Sequence, residues 1–113
     1  MAQDYKAFAR NIPISAQKVR LVIDLVRGKD VVEAMNMLQF VSSHAALPVQ
    51  KVVRSAMINA EENFSISRAN LYIHKIAADE GRTRKWRRFG ARGRFKPWLK
   101  RSSHVSVILR ERE

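Results

Sequence analysis

The sequence contains no cysteine, which excludes disulfides and thiolate metal centres. With no covalent staple, the fold must rest on its own core or on a partner. No run of about eighteen apolar residues occurs, so no membrane-spanning helix is expected. The first fourteen residues carry Asp4, Lys6 and Arg10 and no unbroken apolar stretch, which argues against a secretory signal. Repeats and low-complexity blocks are also missing. What is present is a chain of 113 residues, 46% of them hydrophobic. That length allows one domain with a modest core, and that apolar content is too high for a wholly disordered basic tail. These features lead to the expectation of a soluble intracellular basic protein.

Acidic residues are scarce in one place above all. The twenty residues from Arg82 to Arg101 hold ten basic side chains and no acidic one, so the other 93 residues share a net charge of only +2 out of +12. An ordinary solvated face mixes signs, whereas this segment is single-signed and self-repelling. A polyanionic partner is expected to neutralise it.

The hydrophobic spacing predicts an α+β fold: three helices packed on a small antiparallel sheet, with a long protruding β-hairpin. Residues 5–10 roughly alternate and read as a short strand. Ser15 then stands as an N-cap before Val19, Val22, Ile23 and Val26, one helical stripe. Gly28 occupies the left-handed position after that helix, which should end near Arg27. Asp30 with Glu33 forms a capping pattern for a second helix with Val31, Ala34, Met35 and Leu38 inward and Phe40 and Val41 closing it. A third helix, capped by Ser42-Ser43, should run to about Glu62. It turns Val49, Val52, Val53, Ala56 and Ala60 inward, holds Pro48 in its opening turns and stops at Asn63. Its small residues Ser55, Ala56 and Ala60 invite close approach by another element. Met35, Met37 and Met57 read as core. Leu71–Ala77 is rich in β-favouring residues but alternates imperfectly. Ser103–Arg110 alternates cleanly, with Val105, Val107 and Leu109 on one face.

Two strands flanking the basic segment imply an antiparallel hairpin whose base joins the sheet. The expected division is a globular part, 1–78 and 103–113, and an arm over about 79–102. The arm should leave the core near Ala78 and project about 30 Å. A lone charged ribbon is marginal in water, so it is expected to be mobile when free and ordered when bound.

The chemistry points to nucleic acid. Candidate contacts in the arm are Arg82, Arg84, Lys85, Trp86, Arg87, Arg88, Phe89, Arg92, Gly93, Arg94, Lys96, Trp98, Lys100 and Arg101. Arginine forks pair with phosphate and stack on bases, and interleaved aromatic rings give sequence-tolerant stacking. Gly93 and Gly90 permit sharp turns, while Pro97 bars a regular central strand. The plain alternative is a disordered basic loop. Lys18, Arg20, Arg27 and Lys29, around the first helix, are either a solvated face or a second phosphate-binding patch. His44, His74 and His104 share no metal-ligand spacing, so no cofactor or metal is expected. Asp79 and Glu80 point to opposite faces of a strand and are expected to pair with Arg82, Lys100 or Arg101, or to bind nothing, rather than to catalyse. Ser15, Ser102 and Ser103 lack a base beside them. An architectural DNA-binding protein with a basic β-arm remains open. A nuclease would need an acid/base pair or a metal site, and a membrane-active peptide would need a sustained amphipathic helix.

Several spaced motifs then carry a resemblance over nearly the whole chain. They are Ile14-Ser15-x-x-Lys18-Val19-Arg20-Leu21-Val22, Asp24-Leu25-Val26-Arg27-Gly28-Lys29, Lys51-Val52 and Ser55-Ala56-x-x-Asn59-Ala60-Glu61. In the arm they are Asp79-Glu80-Gly81, Lys85, Ala91-Arg92-Gly93-Arg94 and Lys100-Arg101-Ser102-Ser103-His104. The chain resembles the L-twenty-two family of large-ribosomal-subunit proteins. The resemblance implies a non-catalytic protein that binds large-subunit rRNA of the 23S type early in assembly, beside neighbouring ribosomal proteins. Its hairpin would line the nascent-peptide exit tunnel, with the nascent peptide passing the tip. Lys85, Arg88, Arg92 and Arg94 would be tip contacts, and Lys18, Arg20, Lys100 and Arg101 would touch RNA nearer the globular part. No membrane association and no homo-oligomer are expected. The implied location is the ribosome, in the cytoplasm or in an organelle. One departure is clear: Phe89-Gly90-Ala91 stands where the family pattern has Pro-Arg-Ala, and Trp86 stands where a basic residue is common. Stacking is expected to replace charge there.

Overall fold

The computed structural model describes residues 3–89, 93 and 95–112. Its elements are strand β1 (Tyr5–Ile12), helices α1 (Ala16–Val26), α2 (Val31–Gln39) and α3 (Ala46–Phe64), a short turn of 3₁₀ helix (Arg68–Asn70), and strands β2 (Leu71–Glu80), β3 (Arg84–Phe89), β4 (Phe95–Lys100) and β5 (Ser103–Glu111). The expected α+β architecture is present. The sheet has the order β1-β5-β2, antiparallel throughout, and β3 and β4 form a separate two-stranded ribbon. The molecule measures 64 × 25 × 19 Å and its radius of gyration is 17.2 Å. A compact chain of this length would have about 13 Å.

All three helices lie on one face of the sheet. The predicted stripe of α1 is buried, as are Val31, Ala34 and Leu38 of α2 and Val49, Val52, Val53, Ala56, Met57 and Ala60 of α3. They meet Ser103, Val105, Val107 and Leu109, the buried face of the central strand. Met35 is only half-buried against the core, and Met37 is likewise half-exposed. Ser55 faces outward and leaves close packing to Ala56 and Ala60, both fully buried. Phe40 is 86% exposed, so Val41, not Phe40, carries the chain from α2 back toward the core.

Both edge strands change parity midway, which explains their irregular alternation in the sequence. In β2 the register steps from Ile73 opposite Leu109 to Lys75 opposite Ile108. The extra residue moves the buried set from Leu71 and Ile73 to Ile76 and Ala78. In β1 the shift falls between Ala9 and Ile12, where Asn11 takes a left-handed φ of 58°. Bulges of this kind twist an edge and discourage further pairing.

The helix ends show where local signals were overridden. Gly28 has the expected left-handed φ, +78°. Ser15 and Asp30 hold N-cap backbone geometry, yet neither side chain caps its helix. The Asp30 carboxylate accepts from Arg112 Nε at 2.5 Å, and Glu33 pairs with Lys29 at 3.7 Å. Helix α3 begins after Ala45, with Ser43 Oγ accepting from the Ala45 N–H at 3.2 Å. Pro48 falls in its first turn, where no N–H is required. The helix runs past Asn63 to Phe64, whose ring packs on Tyr5 at 5.0 Å. Ser65, at φ 55°, terminates it, while the Asn63 side chain is held by Asn59 one turn earlier.

Near the chain ends, Arg110 Nε donates to Asp4 Oδ1 at 2.6 Å. That hydrogen bond, ahead of simple charge attraction, holds the Asp4 carboxyl below its usual value of 3.8. The pair's contribution to stability is therefore present above pH 3.8 and lost as pH falls through the lowered value. Arg110→Gln should move the Asp4 titration up toward 3.8 by carboxyl NMR, and an unmoved midpoint would refute the pairing.

Candidate nucleic-acid interface

Sheet pairing between β2 and β5 continues to Glu80 opposite Ser103, past the Ala78 expected as its end. Buried Ala78 and Ser103 hold it there. The root of the arm is then fastened by backbone. The Gly81 N–H donates to the Ser102 carbonyl at 2.9 Å, and Ser102 Oγ donates to the Arg82 carbonyl at 2.8 Å. A Cβ on Gly81 would lie 2.5 Å from Ser102 Oγ and 3.2 Å from both the Ser102 carbonyl carbon and His104 Nε2. The glycine is required for this close approach, not for a special φ. Gly81→Ala should therefore destabilise the fold by about 1–3 kcal/mol. Pairing it with Ser102→Ala should recover part of that loss, as read by chemical denaturation. A fully additive pair would show that the crowding lies elsewhere.

From this root β3 and β4 pair from Arg84 opposite Lys100 to Phe89 opposite Phe95. Trp86 and Trp98 share one rung, and Arg88 and Lys96 another. Pro97 lies opposite Arg87 inside β4, which is tolerated because both strands of a two-stranded ribbon are edges. Gly93 has φ +73°, the turn conformation its sequence position called for. Arg92 and Arg94, with Gly90 and Ala91, lie outside the described residues. Arg82, Arg84, Lys85, Lys100 and Arg101 are exposed. Asp79 and Glu80 make no ion pair with Arg82 or Arg101 among the described residues; they belong to the sheet ladder at the base of the arm, opposite His104 and Ser103.

Beside the root is a groove of about 1100 Å³. Its walls are the start of α1 (Pro13 to Lys18), the turn before α3 (Ser42 to Ala45) and the arm (Glu80, Gly81, Thr83, Leu99 to Ser102). Three of the predicted cations, Lys18, Lys100 and Arg101, line it together. Neither helix end there carries an acidic residue in its first turn, so the partial positive charge of the α1 N-terminus is left to solvent or to an anion. Hydroxyls of Ser15, Ser42, Ser43 and Thr83 add donors. Sequence reading missed the groove because segments more than 80 residues apart build it, although Ser42-Ser43 was visible as a helix-start signal.

The remaining predicted cations lie elsewhere. Arg20 Nε donates to the Ala78 carbonyl at 3.0 Å, and Arg27 Nη1 donates to the Ile76 carbonyl at 2.7 Å. Arg27 Nη2 also reaches Asp24 at 3.3 Å. Farther along, the Ile73 N–H donates to the Lys29 carbonyl at 2.9 Å. These contacts cover the outer edge of β2, and both arginines keep further donors on exposed side chains. Among the described residues no group of His, Asp or Glu could hold a metal ion. His104 instead accepts the Asn11 N–H on Nδ1 at 3.1 Å, which ties the β1 bulge to the arm root. Among the described residues, no helix is long and apolar enough to cross a membrane.

Comparison with known proteins identifies the family. The family profile described as ribosomal protein L22p/L17e matches residues 7–110. The large ribosomal subunit protein uL22 of Dehalococcoides mccartyi is 50% identical over 106 residues, 94% of this chain and 97% of that protein. Its counterpart in Lacticaseibacillus casei is 44% identical over 107 residues, 95% and 92% of the two chains. That of Pediococcus pentosaceus is 44% identical over 108 residues, 96% and 92%. These relatives are structural ribosomal proteins and not enzymes, and the match runs through helices, sheet and arm alike. The chain belongs to the ribosomal protein L22p/L17e family, as a protein of the large ribosomal subunit.

Proposed function

We propose that this protein binds 23S-type large-subunit rRNA, supports assembly of the subunit, and extends its arm along the nascent-peptide exit tunnel. The observation that carries the reading is a two-stranded ribbon, rooted on the sheet through Gly81 and Ser102, in a segment whose charge has one sign over twenty residues. Such a ribbon can lie between RNA segments that would otherwise repel each other, neutralising phosphates on both sides. Arg82, Arg84, Lys85, Arg87, Arg88, Arg92, Arg94 and Lys96 supply the charge. Trp86, Phe89 and Trp98 supply stacking surface, and Gly93 supplies the turn. Lys18, Lys100 and Arg101 hold RNA backbone at the groove, and Arg20, Arg27 and Lys29 add cations along the β2 edge.

On this reading residues 1–78 and 103–113 sit on the subunit surface among other ribosomal proteins. The arm, about 79–102, is mobile when free and ordered by RNA, and the nascent peptide passes its tip. The protein acts as a single copy in ribosomes, of the cytoplasm or of an organelle, away from membranes. The test is ultraviolet crosslinking in intact large subunits. Arm peptides should carry nucleotides of the large rRNA, and Phe89→Ala should weaken crosslinking at the tip. Arm peptides free of RNA while the globular part is crosslinked would refute the tunnel placement.

A further inference from the structure

The helices cover one face of the β1-β5-β2 sheet and leave the other open. The register sets out its rows: Phe8 beside Ser106 beside Ala77, then Lys6 beside Ile108 beside Lys75. Phe8 is 67% exposed. Its row-mates are small, so the ring borders a flat shelf. Lys6, Arg10 and Lys75 are exposed and pair with no acid among the described residues. Arg110, farther along, is already bound to Asp4, and Asp79 is the acid at the arm end.

We propose that this open face is a second RNA-contact surface, on which Phe8 stacks an unpaired base while Lys6, Arg10 and Lys75 hold the flanking phosphates. It rests on the reading of the chain as RNA-binding but not on where the arm lies. Single-stranded RNA is recognised by unstacked bases laid on aromatic side chains of a sheet, with cations along the backbone. A protein partner fits less well. Its interface core would need a broad apolar patch, and here Phe8 and half-buried Ile108 are set among charge, while the Tyr72 ring farther along is covered by the Arg112 guanidinium at 4.6 Å. The face also adjoins the arm root, because the neighbouring row holds His104, which contacts Asn11.

The test is an amide NMR titration of the full chain with hexauridylate at about 0.1 M salt. Shifts are expected over residues 6–10 and at Ala77 and Ser106, besides those of the arm and groove. Phe8→Thr should weaken the face-specific shifts about 5- to 100-fold, leaving the arm shifts and the melting temperature unchanged. Phe8→Tyr should retain them. Shifts confined to arm and groove, or face shifts that survive Phe8→Thr, would overturn the proposal while sparing the function proposed above. Concentration-dependent face shifts without RNA would assign the surface to a second copy and overturn it. No shifts anywhere would sink both readings.

Discussion

With Arg84, Lys85, Lys100 and Arg101 all replaced by glutamine, the plot of log affinity for large-subunit RNA against log salt should lose about three units of slope. Each phosphate neutralised contributes roughly 0.7–0.9 to that slope through counterion release. All four residues are exposed, on β3, on β4 and at the arm root, so the fold should survive their loss. Arg112→Gln is the control: its guanidinium is already paired with Asp30 at 2.5 Å, and its slope should change by less than about half a unit. Filter binding at four or five salt concentrations measures both. Equal slopes for the two variants would mean that the arm's charge does not meet phosphate.

The second large effect belongs to the core. Leu109→Ala should destabilise the protein by about 2–5 kcal/mol, the range for truncating a fully buried leucine. Leu109 is 0% exposed on the central strand, between Tyr5 of β1 and Ile73 of β2. In a domain this small the melting temperature should fall by roughly 10–20 °C. Phe40→Ala should cost under about 0.5 kcal/mol, although it deletes a larger side chain, because that ring is 86% exposed. Calorimetry on the two variants separates them. A Phe40 effect as large as that of Leu109 would mean that the α2 end is packed in a way its exposure does not show.

Much of this molecule is legible locally. The stripes of α1, α2 and α3 bury the residues their spacing marks, with Met35 only half-buried, and Val105, Val107 and Leu109 alternate inward as written. The single-signed segment announces itself without any structure. What local reading loses is what distant segments decide. Asp30 carries an N-cap signature, but its carboxylate is claimed by Arg112, 82 residues away. Asn63 looks like a stop, but Phe64 gains a ring contact with Tyr5 by continuing the helix. The alternation of β2 looks poor because a bulge after Ile73 reverses its parity. Arg20 and Arg27 look like free cations, yet part of each fork is spent on the carbonyls of Ala78 and Ile76. The groove at the arm root is invisible for the same reason. Its cations come from α1 and from the returning strand at the arm root, and only the pairing of β2 with β5 brings them together.

The most direct test of the ribosomal role is sedimentation. Gently lysed cells expressing the native protein would be washed at high salt and run on a sucrose gradient, with the protein followed by quantitative immunoblotting. Retention at close to one copy per large subunit is the predicted result, with the arm-charge variant shifted toward the top of the gradient. Native protein found mainly in the free or nucleoid fractions would contradict the account.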